Sequence, residues 1–238
     1  MQKTLLSLFA LALIYSCSDK KSDENLHITG FIKGFKKGTL YIQRIQDTTL
    51  VAIDTIKIDG NSNFKSDLKI DSPEMLYLFI DRGVTNSIDN NLPFFVEPGN
   101  INIKSSLDFF TADAKISGSK NQELYEEYKK VVSRYVDQNL DLIQKKFIAY
   151  KANNTAELTK IQEEQDYVLK GKYLYTTNFA VNHADYDVAP YVAVAEIYDI
   201  NLKYLDTIQK SMTPKIAKSL YGKKLNSLIQ ERKKLETK

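Results

Sequence analysis

The chain is poor in the residues that most often carry chemistry. Its 238 residues include one cysteine, two histidines and no tryptophan. A single cysteine can form neither a disulfide nor a thiol redox couple within the chain. The net charge of +3 is too small to indicate a nucleic-acid partner. With 43% hydrophobic residues, 15 tyrosines and 11 phenylalanines, the sequence still has enough apolar bulk for globular cores.

The longest apolar run lies near the N-terminus. Lys3 precedes an apolar block at residues 5–14, which is the pattern of an export signal. The block is shorter than the roughly 20 apolar residues that a membrane-spanning helix needs, and no later segment is apolar enough to span a membrane. The sequence therefore predicts an exported protein without a transmembrane helix.

Ile14 and Ser16, which precede Cys17, resemble the lipobox of bacterial lipoproteins, although Tyr15 departs from the small residue usual at its position. In such proteins the thiol becomes a thioether to diacylglycerol, and the signal peptide is cut just before the cysteine. The resemblance implies a signal peptide at 1–16, lipidation of Cys17 and a place in the cell envelope, at the outer membrane rather than the inner one. The alternative is an ordinary cleaved signal beside a free cysteine.

The segment after the cysteine carries no core-forming side chain. Residues 17–25 are therefore assigned to the lipidated cysteine and a flexible tether. Acidic residues after the cysteine also direct some lipoproteins to the cell surface. Here Asp19 and Asp23 are mixed with Lys20 and Lys21, which favours a solvated linker.

Residues 26–118 alternate apolar and polar side chains in short runs, which is the period of β-strands. Residues 75–80 form a continuous apolar run, as expected of a strand buried on both faces. Asp59-Gly60 indicates a hairpin turn, and residues 97–100 indicate another turn. The pattern predicts an antiparallel β domain, either a sandwich or an open barrel.

Beyond Gly118 the apolar period changes to about 3.6 residues. Ser119 and Gln122 form a capping box, which predicts a helix from there to about Tyr150. A single apolar stripe is predicted along this helix, through Leu124, Tyr128, Val131, Val132, Tyr135, Val136, Ile143 and Phe147.

Polar breaks divide the rest of the chain into further helices. They lie at residues 152–155 and 182–187, and Thr213-Pro214 has the form of an N-cap followed by a first turn. The predicted fold class is thus α+β, with a helical domain at 119–238 after the β domain.

Short motifs in the strand-rich half are together more specific than any of them alone. They are Phe31-Ile32-Lys33-Gly34, Gly38-Thr39-Leu40-Tyr41-Ile42, Ile53-Asp54-Thr55, Ile58-Asp59-Gly60, Phe94-Phe95-Val96-Glu97-Pro98-Gly99-Asn100-Ile101 and Ile116-Ser117-Gly118-Ser119. In these motifs the chain resembles a domain of unknown function that opens many lipoproteins of bacteroidetes-type bacteria, usually ahead of a thioredoxin-like domain. Residues 214–225 are similar to the end of the helical linker that joins the two domains in such proteins.

The resemblance does not imply redox chemistry for this chain. In such proteins that chemistry resides in a Cys-x-x-Cys pair on the thioredoxin-like domain, and this chain stops at Lys238, where that domain would begin. Thiol-disulfide exchange needs an attacking thiolate and a second sulfur, whereas Cys17 is expected to be lipidated. Two hypotheses follow. One is a non-enzymatic binding or scaffolding module with an envelope-protein partner, and the other is an accessory subunit of a separately encoded thioredoxin-like oxidoreductase.

Other candidate sites are weaker. His183 with Asp185 and Asp187 has suitable metal donors, but a polar loop between helices has the same composition, so no metal site and no cofactor are expected. No serine lies in a known nucleophile motif, so no catalytic residue is assigned, although a hydrolase of unrecognised type stays a third hypothesis.

Two surface patterns remain. Twelve of the tyrosines follow residue 118; such rows bind peptides or sugars in some proteins, but more often they form core. Basic residues near the C-terminus are interleaved with acids, which favours a solvated helix end over contact with anionic lipid. They are Lys223, Lys224, Arg232, Lys233 and Lys234.

Overall fold

The computed structural model describes residues 23–83 and 87–236, so the predicted signal peptide and Cys17 lie outside the described residues. Within this part of the chain, strands come first and helices follow, which confirms the predicted α+β class. The strands are β1 (Leu26–Lys33), β2 (Lys37–Gln46), β3 (Thr49–Asp59), β4 (Asn63–Leu68), β5 (Glu74–Asp81), β6 (Asn91–Val96), β7 (Gly99–Ser106) and β8 (Lys115–Ser117).

The strands form two sheets of four. The first sheet has the order β4-β1-β7-β8, and the second sheet has the order β3-β2-β5-β6. Alternate side chains of both sheets meet in one apolar core, to which β1 contributes Leu26 and Ile28 and β2 contributes Leu40 and Ile42. The β domain is therefore a sandwich rather than an open barrel.

The strand pairing corrects the prediction at two points. Asp59-Gly60 is not a hairpin turn, because β3 belongs to the second sheet and β4 to the first. The Gly60 N–H donates instead to the carbonyl of Lys36, at 2.7 Å. In addition, β1 and β7 pair in parallel, whereas the other described ladders are antiparallel. Parallel neighbours need a long crossover, and the passage of the chain through the second sheet supplies it.

The central strand β5 is covered on both faces, as its continuous apolar run predicts. Leu76 and Leu78 belong to the core between the sheets. Met75 points to the opposite face of the sheet and belongs to the core of the helical half, and Tyr77 packs against that core. The molecule thus has three layers, and the second sheet lies in the middle.

The helices are α1 (Lys120–Lys151), α2 (Thr155–Asn182), α3 (Val188–Glu196), α4 (Leu202–Ser211), α5 (Pro214–Ala217) and α6 (Leu220–Glu236). The Ser119 hydroxyl accepts the Gln122 N–H at the start of α1, and Thr213 caps α5 in the same way, so both predicted N-caps are confirmed. None of the helices in the described ranges is both long and apolar enough to cross a membrane.

Side chains of the helices complete backbone hydrogen bonds of the second sheet. Gln122 Oε1 accepts the N–H of Phe95 on the edge strand β6, at 2.7 Å, and the Tyr221 hydroxyl accepts the N–H of Met75, at 2.9 Å. In return, a carboxylate oxygen of Glu97 accepts the Lys120 N–H at the start of α1, at 2.6 Å. A buried N–H without a partner destabilises a fold by roughly 1–3 kcal/mol, so these bonds hold helices and sheet together.

The junction between α3 and α6 buries a carboxylate. Asp187 is only 4% exposed, and its Oδ1 atom has no hydrogen-bond partner among the described residues. Burial raises the pKa of Asp187 above the ordinary value of 3.8, and a hydrogen bond from Ser219 and the charge of Lys215 offset part of that rise. Folding therefore disfavours the charged form of this side chain relative to the unfolded chain.

The raised pKa predicts a pH-dependent effect of Asp187→Asn. A carboxyl group whose pKa is raised on folding stabilises the native state below its unfolded pKa, and that contribution is lost as the pH rises through the native pKa. An amide does not titrate, so the free energy of unfolding should shift in favour of the variant between about pH 3 and pH 7. Urea unfolding of both proteins at the two pH values measures the difference. Glu74, whose pKa burial also raises, is common to both proteins and cancels. A difference that does not change with pH contradicts the assignment.

Gly118 lies at a position where a side chain should not be tolerated. Its φ is +103°, and a Cβ built there would overlap the backbone oxygen of Asn100. Gly118→Ala should lower the free energy of unfolding by about 3 kcal/mol or more, because backbone strain and a backbone clash add. Gly60→Ala is the matched control, since its φ is +85° with nothing within 4 Å of the added Cβ, and should lose roughly 1–2 kcal/mol. Equal losses in chemical denaturation of the two variants would show that the clash is relieved.

Candidate functional site

The two long helices α1 and α2 form an antiparallel hairpin that reaches past the main helical core. That core includes residues of α1 only up to Val132, and residues of α2 only from Tyr173 onward. Beyond them, Leu142, Ala149 and Ile161 form a small cluster of their own. We call residues 133–172 the arm. From Val132 to Lys151, helix α1 is about 28 Å long, at roughly 1.5 Å per residue.

Within the arm, α1 packs on α2 through a seam of five side chains with three- and four-residue spacing. These are the positions of α1 in the arm that are not exposed, namely Tyr135, Asn139, Leu142, Lys146 and Ala149. The spacing is that of a two-helix coiled-coil contact.

Polar hydrogen bonds contribute much of the seam. Lys146 Nζ donates to Gln162 Oε1 at 2.7 Å and to Gln165 Oε1 at 3.0 Å, and Gln165 Nε2 donates to Asn139 Oδ1 at 3.1 Å. Polar contacts in a helix–helix seam set the register of the paired helices while contributing less stability than apolar contacts. The hairpin thus keeps its geometry with only a small apolar core.

The residue that directly follows each seam residue in the sequence is apolar and exposed. We call Val136, Leu140, Ile143, Phe147 and Tyr150 the exposed stripe; their side chains are between 46% and 71% exposed. Each follows a seam residue by one position, which places the exposed stripe about 100° round the helix from the seam. Soluble proteins rarely leave a row of large apolar side chains exposed, which makes the exposed stripe a candidate interaction surface.

Two open grooves, with volumes of about 620 and 420 Å³, follow each other along the hairpin between the exposed stripe and α2. Both are lined by Lys146 and Gln162, so they adjoin each other along the hairpin. Leu158 of α2 lines the larger groove, and Leu169 of α2 lines the smaller one. The exposed stripe and these two residues are the apolar parts of the groove walls, and Lys146 and Gln162 are polar groups common to both grooves.

The sequence prediction for this part of α1 is wrong in one respect. It assigns Val136, Ile143 and Phe147 to the same stripe as the core residues Leu124 and Tyr128, whereas the structure leaves the first three exposed. The relevant signal is that apolar residues occur at neighbouring positions, as in Leu142-Ile143. Such pairs mark two parallel stripes, and one helix cannot bury both against a single partner helix.

The predicted tyrosine row is core where it meets the second sheet. Tyr125 and Tyr128 are buried, and the ring of Tyr191 makes edge contacts with Tyr125, Phe95 and Tyr221, at 4.9–5.6 Å between centroids. Burial raises the pKa of Tyr125 to about 12 and raises that of Tyr191 further. These hydroxyls stay protonated at neutral pH and act as hydrogen-bonding groups of a packed junction.

The possible metal donors His183, Asp185 and Asp187 do not form a metal site in the described part of the chain. His183 Nδ1 lies 2.8 Å from the Phe179 carbonyl, and Ser219 hydrogen-bonds the Asp187 carboxylate. Across residues 23–83 and 87–236, no three His, Cys, Asp or Glu side chains are grouped so that they could hold a metal ion. The other histidine, His27, pairs with Asp67 on β4, 2.7 Å away.

The basic residues near the C-terminus separate into two groups. Lys233 pairs with Asp206 at 2.8 Å, and Arg232 donates to the carbonyls of Tyr198 and Ile200 at 2.9 and 2.5 Å. Lys223 and Lys224 lie in the first turns of the same helix and take part in none of the ion pairs found among the described residues.

Comparison with known proteins gives one finding. Residues 26–125 match the family model described as Domain of unknown function (DUF4369). Neither the curated proteins nor the solved structures include a significant match to the chain. The strand-rich half with the first turns of α1 is therefore similar to a domain of unknown function, and the arm beyond Val132 lies outside the matched residues.

Proposed function

We propose that this protein is a lipid-anchored protein of the cell envelope, at the outer membrane, that acts as a non-catalytic binding module. Its lipid is attached at Cys17, and its binding surface is the exposed stripe of the arm. The observation that carries the proposal is the distribution of residues on α1, where the seam includes Asn139 and Lys146 while the exposed stripe is wholly apolar.

The bound partner is a helix of another envelope protein. Side chains spaced by three and four residues form a ridge that packs into the complementary grooves of a second helix. The two grooves between the exposed stripe and α2, about 620 and 420 Å³ in volume, provide space for such side chains. Burial of the exposed stripe would remove apolar surface from water at roughly 25 cal/mol per Å².

The non-catalytic part of the proposal is supported by the places of the histidines. His27 is bonded to Asp67 on the first sheet, and His183 is bonded to a helix carbonyl. A histidine that activates a serine nucleophile must lie beside the serine hydroxyl, and neither of these two contacts is with a serine. The aromatic junction is packed with protonated tyrosines and serves as core.

Ile143→Glu should weaken binding at the arm without unfolding the protein. A photoreactive amino acid at Leu140 would form an adduct with the partner in living cells. Burying an ionised carboxylate against an apolar surface should weaken binding by at least about 30-fold, the factor that corresponds to roughly 2 kcal/mol. Ile148→Glu is the matched control, because Ile148 is an exposed isoleucine on the same helix that lies outside the exposed stripe. Thermal unfolding followed by circular dichroism should be similar for both variants.

The identity of the adduct decides between the hypotheses. Mass spectrometry that places the crosslink on an apolar helical segment of an envelope protein supports the proposal. A crosslink to a thioredoxin-like oxidoreductase supports the accessory-subunit alternative. A crosslink to a second copy of this chain, or equal adduct yields from the two glutamate variants, contradicts a stripe that binds a different protein.

The lipid anchor predicts a mature chain that begins at Cys17. The N-terminal peptide from purified membranes should carry a diacylglyceryl group on the Cys17 sulfur, because a cysteine after Ser16 fits the lipobox. Mass spectrometry of that peptide measures it, and Cys17→Ala should leave the membrane fraction. A free thiol on a cleaved chain would contradict the anchor.

A further inference from the structure

A cleft lined by lysines lies where the first turns of α6 meet the second sheet. It has a volume of about 380 Å³, and its walls come from β2, from the segment between β4 and β5, and from residues 218–224. Its charged lining residues are Arg44, Lys69, Asp71, Glu74, Lys218, Lys223 and Lys224. We call it the cationic cleft.

The positive charge of the cationic cleft is largely uncompensated. Arg44 is neutralised by buried Glu74, to which it donates two hydrogen bonds at 2.8 and 2.6 Å. Lys69 pairs with Asp23, at 3.3 Å, and Lys224 also acts electrostatically on Glu74. The other lysines of the lining, Lys218, Lys223 and Lys224, then face one remaining lining carboxylate, that of Asp71. Lys218, Lys223 and Lys224 take part in none of the ion pairs found among the described residues, and all three are exposed. An anionic partner is the ligand that this charge distribution favours.

The N-terminal segment reaches the domain beside this cleft. The Asn25 N–H donates to the Leu68 carbonyl at 3.0 Å, and the Asn25 side chain makes two hydrogen bonds with the backbone of Ile70, at 2.8 and 2.9 Å. Asp23, the first described residue, lies 3.3 Å from the ammonium of Lys69, which lines the cleft. The described chain therefore begins at one wall of the cationic cleft.

Chain length then limits how far the cleft can lie from an anchored Cys17. Five residues lie between Cys17 and Asp23, so six residue-to-residue steps join them. A fully extended chain spans at most about 3.6 Å per step, or about 22 Å in all. Lipid attached to Cys17 would hold Asp23, and with it the Lys69 wall of the cleft, to about that distance from the headgroups. Lysines close to an anionic membrane surface are attracted to it over about 8 Å at physiological salt.

We infer that the cationic cleft docks on the phosphate-bearing headgroups of the membrane that holds the lipid anchor, and so orients the domain on the membrane. This inference rests on the proposed lipidation of Cys17 and is independent of binding at the arm. Lipid chains retain the protein, whereas the cleft selects which face of the domain meets the bilayer.

Lysine footprinting of the purified lipidated protein tests the inference. The protein is placed in vesicles of phosphatidylcholine, or of phosphatidylcholine with about 30% phosphatidylglycerol, and is acetylated for graded times. In anionic vesicles Lys218, Lys223 and Lys224 should react at least about fivefold more slowly than in neutral vesicles, while Lys145 on the arm keeps its rate. About 1 M salt should remove the protection, since the Debye length then falls to about 3 Å.

A paired variant gives the control. Lys223→Gln with Lys224→Gln should remove most of the protection of Lys69 and Lys218. Lys233→Gln with Lys234→Gln removes the same charge from the other end of α6 and should leave that protection in place. Equal protection in both charge-matched variants would mean that overall charge, and not the cleft, draws the domain to the bilayer, and would overturn the inference.

The remaining outcomes are also decisive. Equal reaction rates in the two kinds of vesicle overturn the inference while the anchor stands. Equal protection by inorganic phosphate, with the protein in neutral detergent micelles, assigns the cleft to a soluble anion and overturns docking on lipid. The same spectra contain the N-terminal peptide, so a chain without lipid on Cys17 is recognised separately and overturns both proposals.

Discussion

The hydrogen bonds that helices supply to the second sheet are the constraint on which the rest of the structure depends. Edge strand β6 would leave the N–H of Phe95 unpaired, and the β2–β5 ladder ends at Gln43 and Tyr77, before Met75. Gln122 and Tyr221 fill these two places. The match to the domain of unknown function runs to residue 125, past the last strand, and so includes Gln122. The first turns of α1 complete the β domain, although they are helical.

Local features of this fold could be predicted from the sequence, whereas strand partners could not. The Ser119 cap, the Thr213 cap and the doubly buried β5 each depend on residues within a few positions of one another. The turn at Asp59-Gly60 has the same local chemistry whether the chain returns to its own sheet or crosses to the other one. Periodicity reports which face of a strand is buried and carries no information about the neighbouring strand.

The arm shows the same limit on a helix. Apolar residues with helical spacing are expected to face a core. The sequence alone does not say how many faces of the helix are buried against other parts of the protein. The seam follows Tyr135, Asn139, Leu142, Lys146 and Ala149, with two polar residues among five, because Gln162 and Gln165 on α2 complement them. The more apolar row lies one position further round the helix and is left exposed. Only the position of α2 distinguishes the two rows, and that position is a tertiary property.

On α1, the residues that bond to the β domain lie far along the helix from the exposed stripe. Lys120 and Gln122 bond to the β domain, whereas the exposed stripe begins at Val136 and ends at Tyr150. At roughly 1.5 Å per residue, the exposed stripe lies about 24–45 Å along the helix from its first residue. Polar contacts in the seam hold the register of the hairpin over that length, so the exposed stripe keeps a defined position relative to the sandwich. A partner bound as proposed would contact the arm without competing for Gln122, Tyr221 or Glu97, because none of these residues belongs to the exposed stripe.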